Sequence, residues 1–505
     1  VTCHNPGSTD PSSTNTVDMK VMVHKIHMGA NLPSVQAGGE YIVGGHDYST
    51  LHYPQDIRNC VNCHAGSGTV GDRTDLVVTS QGDNWSEVAS AAACGSCHDD
   101  QVGPDGHIGR QPDDLGCASC HAEGGRAGSI ADSHRNLVTE AGKRFAAEIL
   151  MITNTMPGEF PQVQYRIVDP TNGNAPYDLQ NDEEWTVGGG ASRLAIDLAW
   201  DTTDYTNTGN GEDEASAVSL NALQGIPAGD GSYTIESEVA IPDGSIAPGI
   251  AASGSGIVAV EGHPAVDVGS EEEPNVQRIP FTNAHKFFSI DEADGDPAPR
   301  RVVVELESCL SCHSQLSLHG SNRTDNLEVC AACHNPRNTD RQVREIAANP
   351  PTDGKDEESI DFKTMVHGIH AAGIRENPLQ VVGFGGFTTY VYDEEAVHYP
   401  GDLSNCTTCH TDDGYTLPLA SGVLGTTIDT GENHMSPEDD TVITPVTAVC
   451  SSCHDGSGAA AHMTQNGGSF DTTQAAIDNG ETVETCNTCH ATGRIADVAE
   501  LHNPR

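Results

Sequence analysis

Seventeen cysteines and twenty-four histidines carry the chemistry of this 505-residue chain, and their spacing is regular. Eight C-x-x-C-H motifs occur: Cys60/Cys63/His64, Cys94/Cys97/His98, Cys117/Cys120/His121, Cys309/Cys312/His313, Cys330/Cys333/His334, Cys406/Cys409/His410, Cys450/Cys453/His454 and Cys486/Cys489/His490. Cys3, followed by His4, completes a ninth motif whose first cysteine would precede Val1, so every cysteine is used. Two cysteines three apart can form thioethers with the two vinyl groups on one porphyrin edge, and the histidine that follows then sits under the iron as its proximal ligand. A zinc site does not require histidine directly after its second cysteine, and neither does a disulfide framework. With histidine at about one residue in twenty, eight chance placements have odds on the order of 10⁻¹¹. The spacing therefore assigns covalently attached haem c, with nine groups visible in the chain.

A haem iron held by one histidine is either closed by a second ligand or left open, and that choice separates an electron carrier from an enzyme. The distal candidates come from an internal repeat, because the motif clusters at 1–140 and 301–505 match each other. Val1-Thr2-Cys3-His4-Asn5-Pro6 parallels Ala331-Ala332-Cys333-His334-Asn335-Pro336, and Val23-His24-Lys25-Ile26-His27 parallels Val366-His367-Gly368-Ile369-His370. His52-Tyr53-Pro54 before Cys60 parallels His398-Tyr399-Pro400 before Cys406. The repeat nominates His24, His27, His107 and His134 in the first copy, and His319, His367, His370, His462 and His502 in the second. The first copy's counterpart of His319 would precede Val1, which gives each unit five distal ligands for five haems. His52 and His398 recur in both copies and form a reserve; His263 and His285 are expected in surface or hydrogen-bonding roles; His46 and His434 complete the count. Spacing alone does not say which distal histidine serves which haem.

The segment Asp361–His370 reads as a short helix with an acidic start and a stop at Gly373. Residues three apart share a helix face, with Cβ atoms about 5–6 Å apart. His367 and His370 should therefore ligate two different, neighbouring haems, as should His24 and His27. Two histidines on each iron make it low-spin with no vacant position, at a potential below that of His/Met ligation.

These ligands need a scaffold of unusual composition. Only 36% of residues are hydrophobic and 5% aromatic, thin for filling several ordinary cores, so porphyrin must supply buried apolar surface. The second cluster packs five motifs into residues 301–505, a density that leaves no room for a conventional core between haems. Residues 141–300 contain no cysteine. Runs such as Phe145–Thr153, Gln162–Val168, Ser192–Leu198 and Tyr233–Ile241 lie there between Gly, Pro, Asn and Asp clusters, the pattern of an antiparallel β-sandwich or barrel. The expected fold is two mostly irregular multihaem domains with sparse short helices, 1–140 (a truncated pentahaem unit) and 301–505, separated by a β-sandwich or barrel at 141–300. Its acidic loops, Glu212-Asp213-Glu214 and Glu271-Glu272-Glu273, could bind calcium; solvated loops are the favoured reading, since they lack EF-hand ligand order.

The formal net charge of −49 excludes nucleic acid as a direct partner and disfavours anionic membrane. The sequence has no continuous apolar run long enough to span a bilayer. The opening Val1-Thr2-Cys3-His4 looks like the end of a longer motif, so any export signal or lipid anchor is expected upstream.

The run Cys309-x-x-Cys312-His313, Leu318-His319-Gly320, Arg323, Cys330-x-x-Cys333-His334-Asn335-Pro336, His367-x-x-His370 and Tyr399-Pro400 before Cys406 resembles the OmcA/MtrC-type decahaem cytochromes of bacterial outer membranes. The resemblance covers both motif clusters and, loosely, the segment between them. It implies pentahaem domains alternating with β-domains, an upstream β-domain, and a tenth haem. It further implies export to the extracellular face of the outer membrane, or secretion. Implied partners are a porin–cytochrome complex and other multihaem cytochromes, and implied acceptors are ferric oxides, flavins and electrodes. Some relatives carry a cysteine pair in a β-domain; residues 141–300 have none, so no role tied to that pair is carried over. No catalytic residue is assigned, and any metal or flavin reduction would be non-specific electron delivery. Two other classes fit less well: a multihaem reductase with an open iron, for which every motif's closing histidine is a poor match, and a subunit of a conductive cytochrome filament. Pyridine haemochrome quantification should give eight haems for the complete motifs and a ninth with the cysteine upstream of Cys3; zinc in place of haem would end this reading.

Overall fold

The computed structural model describes residues 2–68, 77–101, 114–211, 215–270, 272–293 and 295–502. The chain forms two compact units, Val1–Leu137 with Cys312–Ser314, and Val138–Ser311 with Gln315–Arg505.

In the first unit the longest helix is α1, Met19–Met28. Asp18 caps it by accepting from the Lys20 amide at 3.3 Å. Met22 and Ile26, four apart and so on one face, pack with Met28 against a small core of Leu32, Tyr41 and Val43. Other helices of this unit are single turns or little more, among them Ala91–Cys97, Ala118–His121 and Ile130–Ser133.

The second unit contains the cysteine-free segment, which folds as an antiparallel β-sandwich and not a closed barrel. Its main strands are β1 (Ala146–Thr153), β2 (Gln162–Asp169), β3 (Arg193–Trp200), β4 (Val218–Asn221), β5 (Tyr233–Glu236), β6 (Ser255–His263) and β7 (Ala284–Ser289). One sheet has the order β7-β6-β3-β4; the other runs β1-β2-β5 and ends on Ile226–Pro227. Inward-facing residues of both sheets fill one core: Val163, Tyr165 and Ile167 from β2 meet Leu194, Ile196, Leu198 and Trp200 from β3 and Val258 and Val260 from β6. Burial of this cluster stabilises the sandwich at about 25 cal/mol per Å² of apolar surface removed from water.

Strand β6 is buried along its whole length, which explains why its sequence, Ser-Gly-Ile-Val-Ala-Val-Glu-Gly-His, does not alternate. One face looks into the sandwich. On the other, Ile257 of β6 and Ala199 of β3 pack with Tyr205 against Ala331 and Ala332 of α2, Leu327–Cys333, the helix carrying the fifth complete motif. Polar contacts fasten the same seat. Asn207 donates to the carbonyls of Ala332 at 2.9 Å and Ala215 at 3.1 Å, and Asn335 donates to Ala215 at 2.7 Å. Asn326 caps α2 through the amides of Glu328 and Val329.

The helix α3, Phe362–His370, is capped by Asp361 as expected, but it ends at Ala371 and not at Gly373. The amide of Ala371 still reaches the carbonyl of His367, so the last turn closes without a left-handed glycine. Where backbone crowding does demand glycine is Gly262 of β6: its φ is 144°, and a Cβ there would stand 2.2 Å from the Arg193 carbonyl oxygen. Gly262→Ala should lower stability by about 1–3 kcal/mol, read by denaturant unfolding. Gly188→Ala, where a Cβ meets no atom within 4 Å, should be nearly neutral.

Candidate haem sites

Most of the attachment motifs are built on one tight turn. The amide of the motif histidine donates to the carbonyl of the first cysteine in seven of the eight complete motifs, for example His64 to Cys60 at 2.8 Å, His334 to Cys330 at 2.8 Å and His490 to Cys486 at 2.9 Å. A turn of that pitch projects both thiols and the imidazole to one side, as attachment to one porphyrin requires. None of the seventeen cysteines is in a disulfide.

The motifs are not uniform, although their spacing is, and the second cysteines show the difference. In the two corresponding motifs preceded by His-Tyr-Pro, the turn is a 3₁₀ helix, Cys60–Asn62 and Cys406–Thr408, and it stops before Cys63 and Cys409. Those two residues are exposed, whereas their partners Cys60 and Cys406 are half-buried. An i→i+3 turn is tighter and shorter than an α turn, so the second thiol is left at its rim. Cys117 and Cys120 reverse the arrangement: Cys117 caps the helix Ala118–His121 and Cys120 lies inside it, half-buried, with Ser119 Oγ 3.9 Å from its sulfur. Cys309 lies in the helix Leu306–Leu310 and Cys312 beyond it. Equal C-x-x-C spacing therefore overstates how alike the pairs are; Cys63, Cys120 and Cys409 are nominated by spacing, and their surroundings differ from site to site.

Six motif histidines face a second imidazole. In the first unit His64 faces His24 with ring centroids 5.8 Å apart, and His98 faces His134 at 6.2 Å. In the second unit the pairs are His334 with His319 at 5.9 Å, His410 with His367 at 5.8 Å, His454 with His502 at 6.0 Å and His490 with His462 at 6.0 Å. Two metal–nitrogen bonds of about 2.0 Å in line, plus about 1.2 Å from each nitrogen to its ring centre, would give about 6.4 Å. The spacing fits one metal between each pair. These pairs take in twelve of the eighteen ligands nominated from the sequence, each joining a motif histidine to a distal candidate.

The ring tautomers fit as well. A carbonyl only accepts, so the Nδ1 of His4 donates to Val17 at 3.1 Å, that of His334 to Ile360 at 2.8 Å and that of His490 to Ala496 at 2.9 Å. Among the distal candidates, His134 donates to Ile130 at 2.7 Å and His502 to Val498 at 3.0 Å, each four residues back on its own short helix. Nδ1 protonation leaves the Nε2 lone pair for a metal and fixes the ring plane. Burial pushes His319 down to about 3 and His367 down to about 4, and it lowers His24, His334 and His410 too. All are held neutral, the state a metal ligand needs.

His319 sits at the tip of a two-strand hairpin, Ser317–Leu318 with Arg323–Thr324, in a left-handed conformation with φ 54°. Asn322 donates to its carbonyl at 2.7 Å and holds the tip. Strain of this kind persists where the surrounding structure enforces a side-chain direction.

The other nominated residues lie as follows. His27 and His370 share the helices of His24 and His367; their Nδ1 atoms donate to Val23 and Val366, both at 2.8 Å. His121 closes the helix Ala118–His121, and His313 belongs to the first unit. His107 lies outside the described residues. So do Glu212, Asp213, Glu214 and Glu271 of the loops considered for calcium. Among the described residues no group of three or more His, Cys, Asp or Glu side chains is arranged to hold a metal ion.

Neighbouring motifs sense each other electrostatically. Burial raises the Cys60 thiol to about 11, and nearby Cys97 adds to the rise. Cys450, also raised to about 11 by burial, is pushed further by Cys486, while Cys453 is raised by burial and by Cys406. The attachment points of His410, His454 and His490 thus follow one another closely.

Two features had no role assigned to them from the sequence. Tyr53 stands edge-on to His27 with ring centres 5.0 Å apart, and Tyr399 stands edge-on to His370 at 5.9 Å. The reserve histidines beside them, His52 and His398, are exposed. The repeated His-Tyr-Pro triplet was the signal, carried by its tyrosine. The second feature is an aspartate directly after a motif histidine. Asp99 accepts from Lys25 at 2.6 Å and from the Ser34 amide at 3.0 Å, tying the Cys94/Cys97 motif to α1 and the loop beyond it. Asp455 accepts from the amides of Glu376 at 2.9 Å and Asn377 at 2.8 Å, tying the Cys450/Cys453 motif to the loop after α3. The sequence signal is Cys-His-Asp at corresponding places in the two copies.

The fold is similar to that of two solved structures. The crystal structure of the outer membrane decahaem cytochrome OmcA matches with a TM-score of 0.62 at 20% identity, over 99% of this chain and 70% of that one. The crystal structure of MtrC from Shewanella baltica OS185 matches with a TM-score of 0.59 at 16% identity, over 97% of this chain and 69% of that one. No curated protein sequence matches. The profile described as outer membrane cytochrome MtrC/MtrF-like, domains II/IV, matches residues 1–135 and 301–503. Both motif clusters are covered by it, and the chain belongs to the MtrC/MtrF-like family of outer membrane cytochromes.

Proposed function

We propose that this chain is an electron conduit in which each haem is gripped by two histidines, and that it delivers electrons to acceptors outside the cell. The observation that carries this reading is the set of six facing imidazole pairs, each joining a motif histidine to one nominated independently by the repeat. Haem c, when bound, supplies a one-electron Fe(III)/Fe(II) couple.

The chain's own residues position that couple. The paired cysteines anchor each porphyrin edge, Cys63, Cys120 and Cys409 among them, and Cys3 anchors the first. His4, His64, His98, His121, His313, His334, His410, His454 and His490 are the proximal ligands. His24, His134, His319, His367, His462 and His502 close the opposite faces as paired above; His107, from the repeat, closes His121. His27 and His370 serve haems beside those of His24 and His367, because three residues along a helix keep both rings on one face. Full coordination excludes substrate from the iron, so exchange with acceptors is outer-sphere.

Thioether attachment matures outside the cytoplasm, which makes this an exported protein. Family membership supports the outer face of the outer membrane, with a porin–cytochrome complex as donor and ferric oxides, flavins or electrodes as acceptors. None of the described helices is long and apolar enough to cross a membrane.

His462→Ala should keep its haem, still held by Cys486, Cys489 and His490, yet convert that one centre to a high-spin, cyanide-binding form by low-temperature EPR. His370→Met should raise the potential of one haem with haem content unchanged. Spectra and redox titrations identical to wild type in both variants would overturn the ligand assignment, and wild type with several cyanide-binding irons would recast the chain as a catalyst. Protein reduced with dithionite should be reoxidised by a soluble flavin and by ferric oxide particles; failure with both would remove the acceptor assignment.

A further inference from the structure

The face of the β-sheet that supports α2 carries three charged side chains that the ligand scheme does not use, and a fourth reaches it from a neighbouring hairpin. Along β3, Leu194, Ile196, Leu198 and Trp200 enter the sandwich core, so Arg193, Asp197 and Ala199 share the opposite face. Along β6, Val258 and Val260 enter the core, and Ile257, Glu261 and His263 look the other way. Asp197 pairs in register with Ala259, and Ala195 with Glu261, which makes the two carboxylates diagonal neighbours on one surface. Both are buried, Glu261 completely.

Glu261 binds two guanidiniums: Arg193 Nη1 lies 2.8 Å from Oε1, and Arg323 Nε lies 2.5 Å from Oε2. Both oxygens of Asp197 are buried without a hydrogen bond, as are those of Glu261, whose guanidinium contacts are ion pairs only, and Ser219 of β4 is the polar residue opposite Asp197 in the ladder. Arg323 comes from the hairpin that presents His319. Burial dominates the raised Cys333 thiol, and Arg323, Asp197 and Glu261 all act on it. Burial likewise dominates at His319, with Arg323 and Arg193 contributing. The cluster therefore stands within electrostatic reach of the site bounded by Cys333, His334 and His319.

The other titratable groups on the packed elements include His263 of β6, which burial and Arg278 hold neutral near 4, Cys330 of α2, raised to about 11 chiefly by burial, Glu328 of α2, paired with Arg300 at 3.1 Å, and Asp325 just after the hairpin, raised by burial. His263 and Cys330 supply no negative charge, and the Glu328 carboxylate is matched by Arg300. Asp197 and Glu261 are the acidic groups of this face, and each acts on the same neighbours.

The geometry points to the Asp197–Glu261 pair as a proton-binding site coupled to reduction of the haem held between His319 and His334. The inference rests on that ligand assignment. Two buried carboxylates facing two guanidiniums are neutral overall when both are ionised. One electron arriving at the adjacent iron leaves the region one charge more negative, and binding one proton from water at the carboxylate pair restores the balance. The electron comes from an external reductant such as dithionite, Fe(III) becomes Fe(II), and one carboxylate becomes a carboxylic acid; no other bond is made or broken. Burial raises both carboxyls, Glu261 to about 7, so proton uptake falls near neutral pH. The two groups titrate as a pair, and the proton belongs to both. Arg193, whose side chain is 39% exposed while touching Glu261, gives the site its route to solvent.

Reduced-minus-oxidised infrared spectra of the haem-loaded chain near pH 7, in H₂O and D₂O, test this. Wild type should gain a deuterium-sensitive C=O band of a buried carboxylic acid on reduction. Glu261→Gln and the milder Asp197→Asn should each lose that component while keeping haem content and the low-spin spectrum. A wild-type spectrum without such a band, or one unchanged in both variants, overturns the inference and leaves the conduit intact. An EPR spectrum of His319→Ala with every low-spin signal retained would instead overturn the haem assignment, and this inference with it.

Discussion

Two neutral imidazoles facing each other across about 6 Å, four of the twelve (His134, His334, His490 and His502) turned by a hydrogen bond to the main chain, form an arrangement with little attraction of its own. Burial of such rings costs solvation, leaving Nδ1 of His24, His367 and His410 without a hydrogen bond, and the cost is written in the depressed basicity of His319 and His367. The chain nevertheless repeats the arrangement six times on unrelated local structures: a hairpin tip for His319, long helices for His24 and His367, and single-turn helices for His134 and His502. One metal between each pair of rings, as proposed above, would account for all six at once. The short helices, the sparse apolar cores and the many capped turns follow from building around such centres, because each segment has only to present one ring or one attachment turn.

What keeps these small pieces in place is polar. Asp99 and Asp455, in the two copies, lock the turn after a motif histidine onto the loop beyond a ligand-bearing helix. Asp361 does the same for α3, capping it at Lys363 and also accepting from Thr426 at 2.6 Å. Such bonds are individually worth about 1 kcal/mol, but they fix direction, and direction is what a ligand pair needs. The two copies use different partners for the same aspartate, Lys25 and Ser34 in one and Glu376 and Asn377 in the other. The geometry is kept while the contacting side chains change.

The chemistry was legible because it is written in spacing. C-x-x-C-H needs no folding to be read, and the distal histidines stood out by recurring beside matching neighbours in the second copy. What spacing hides is the local pitch of each motif: Cys63 and Cys409 fall past a 3₁₀ turn while Cys120 lies within an α turn, and the residues around the motif decide which. The pairing of ligands was not legible either: His462 and His490 lie 28 positions apart in sequence and His319 and His334 only 15, and loop paths decide such matches. The sandwich was visible in β1, β2, β3 and β5, whose sequences change character within a few residues. Strand β6 escaped because both its faces are covered, which erases alternation. Tyr53 and Tyr399 are masked by the histidine in the same triplet, and an aromatic edge against a ring has no spacing rule. Gly373 suggested a helix stop on residue type alone, whereas the last turn of α3 closes on Ala371 by ordinary backbone bonding.

The doubly covered sheet makes the β-sandwich more than a spacer. Because β3 and β6 form the floor on which Ala331 and Ala332 rest, the second motif cluster borrows one wall from the preceding segment. Excising 301–505 as a free-standing cassette would strip that wall and expose Ile257, Ala199 and a fully desolvated carboxylate to water. Shuffling such modules between proteins would therefore succeed only when the sheet travels with the cytochrome portion it supports, so that the heritable unit is the sandwich and its following cluster together.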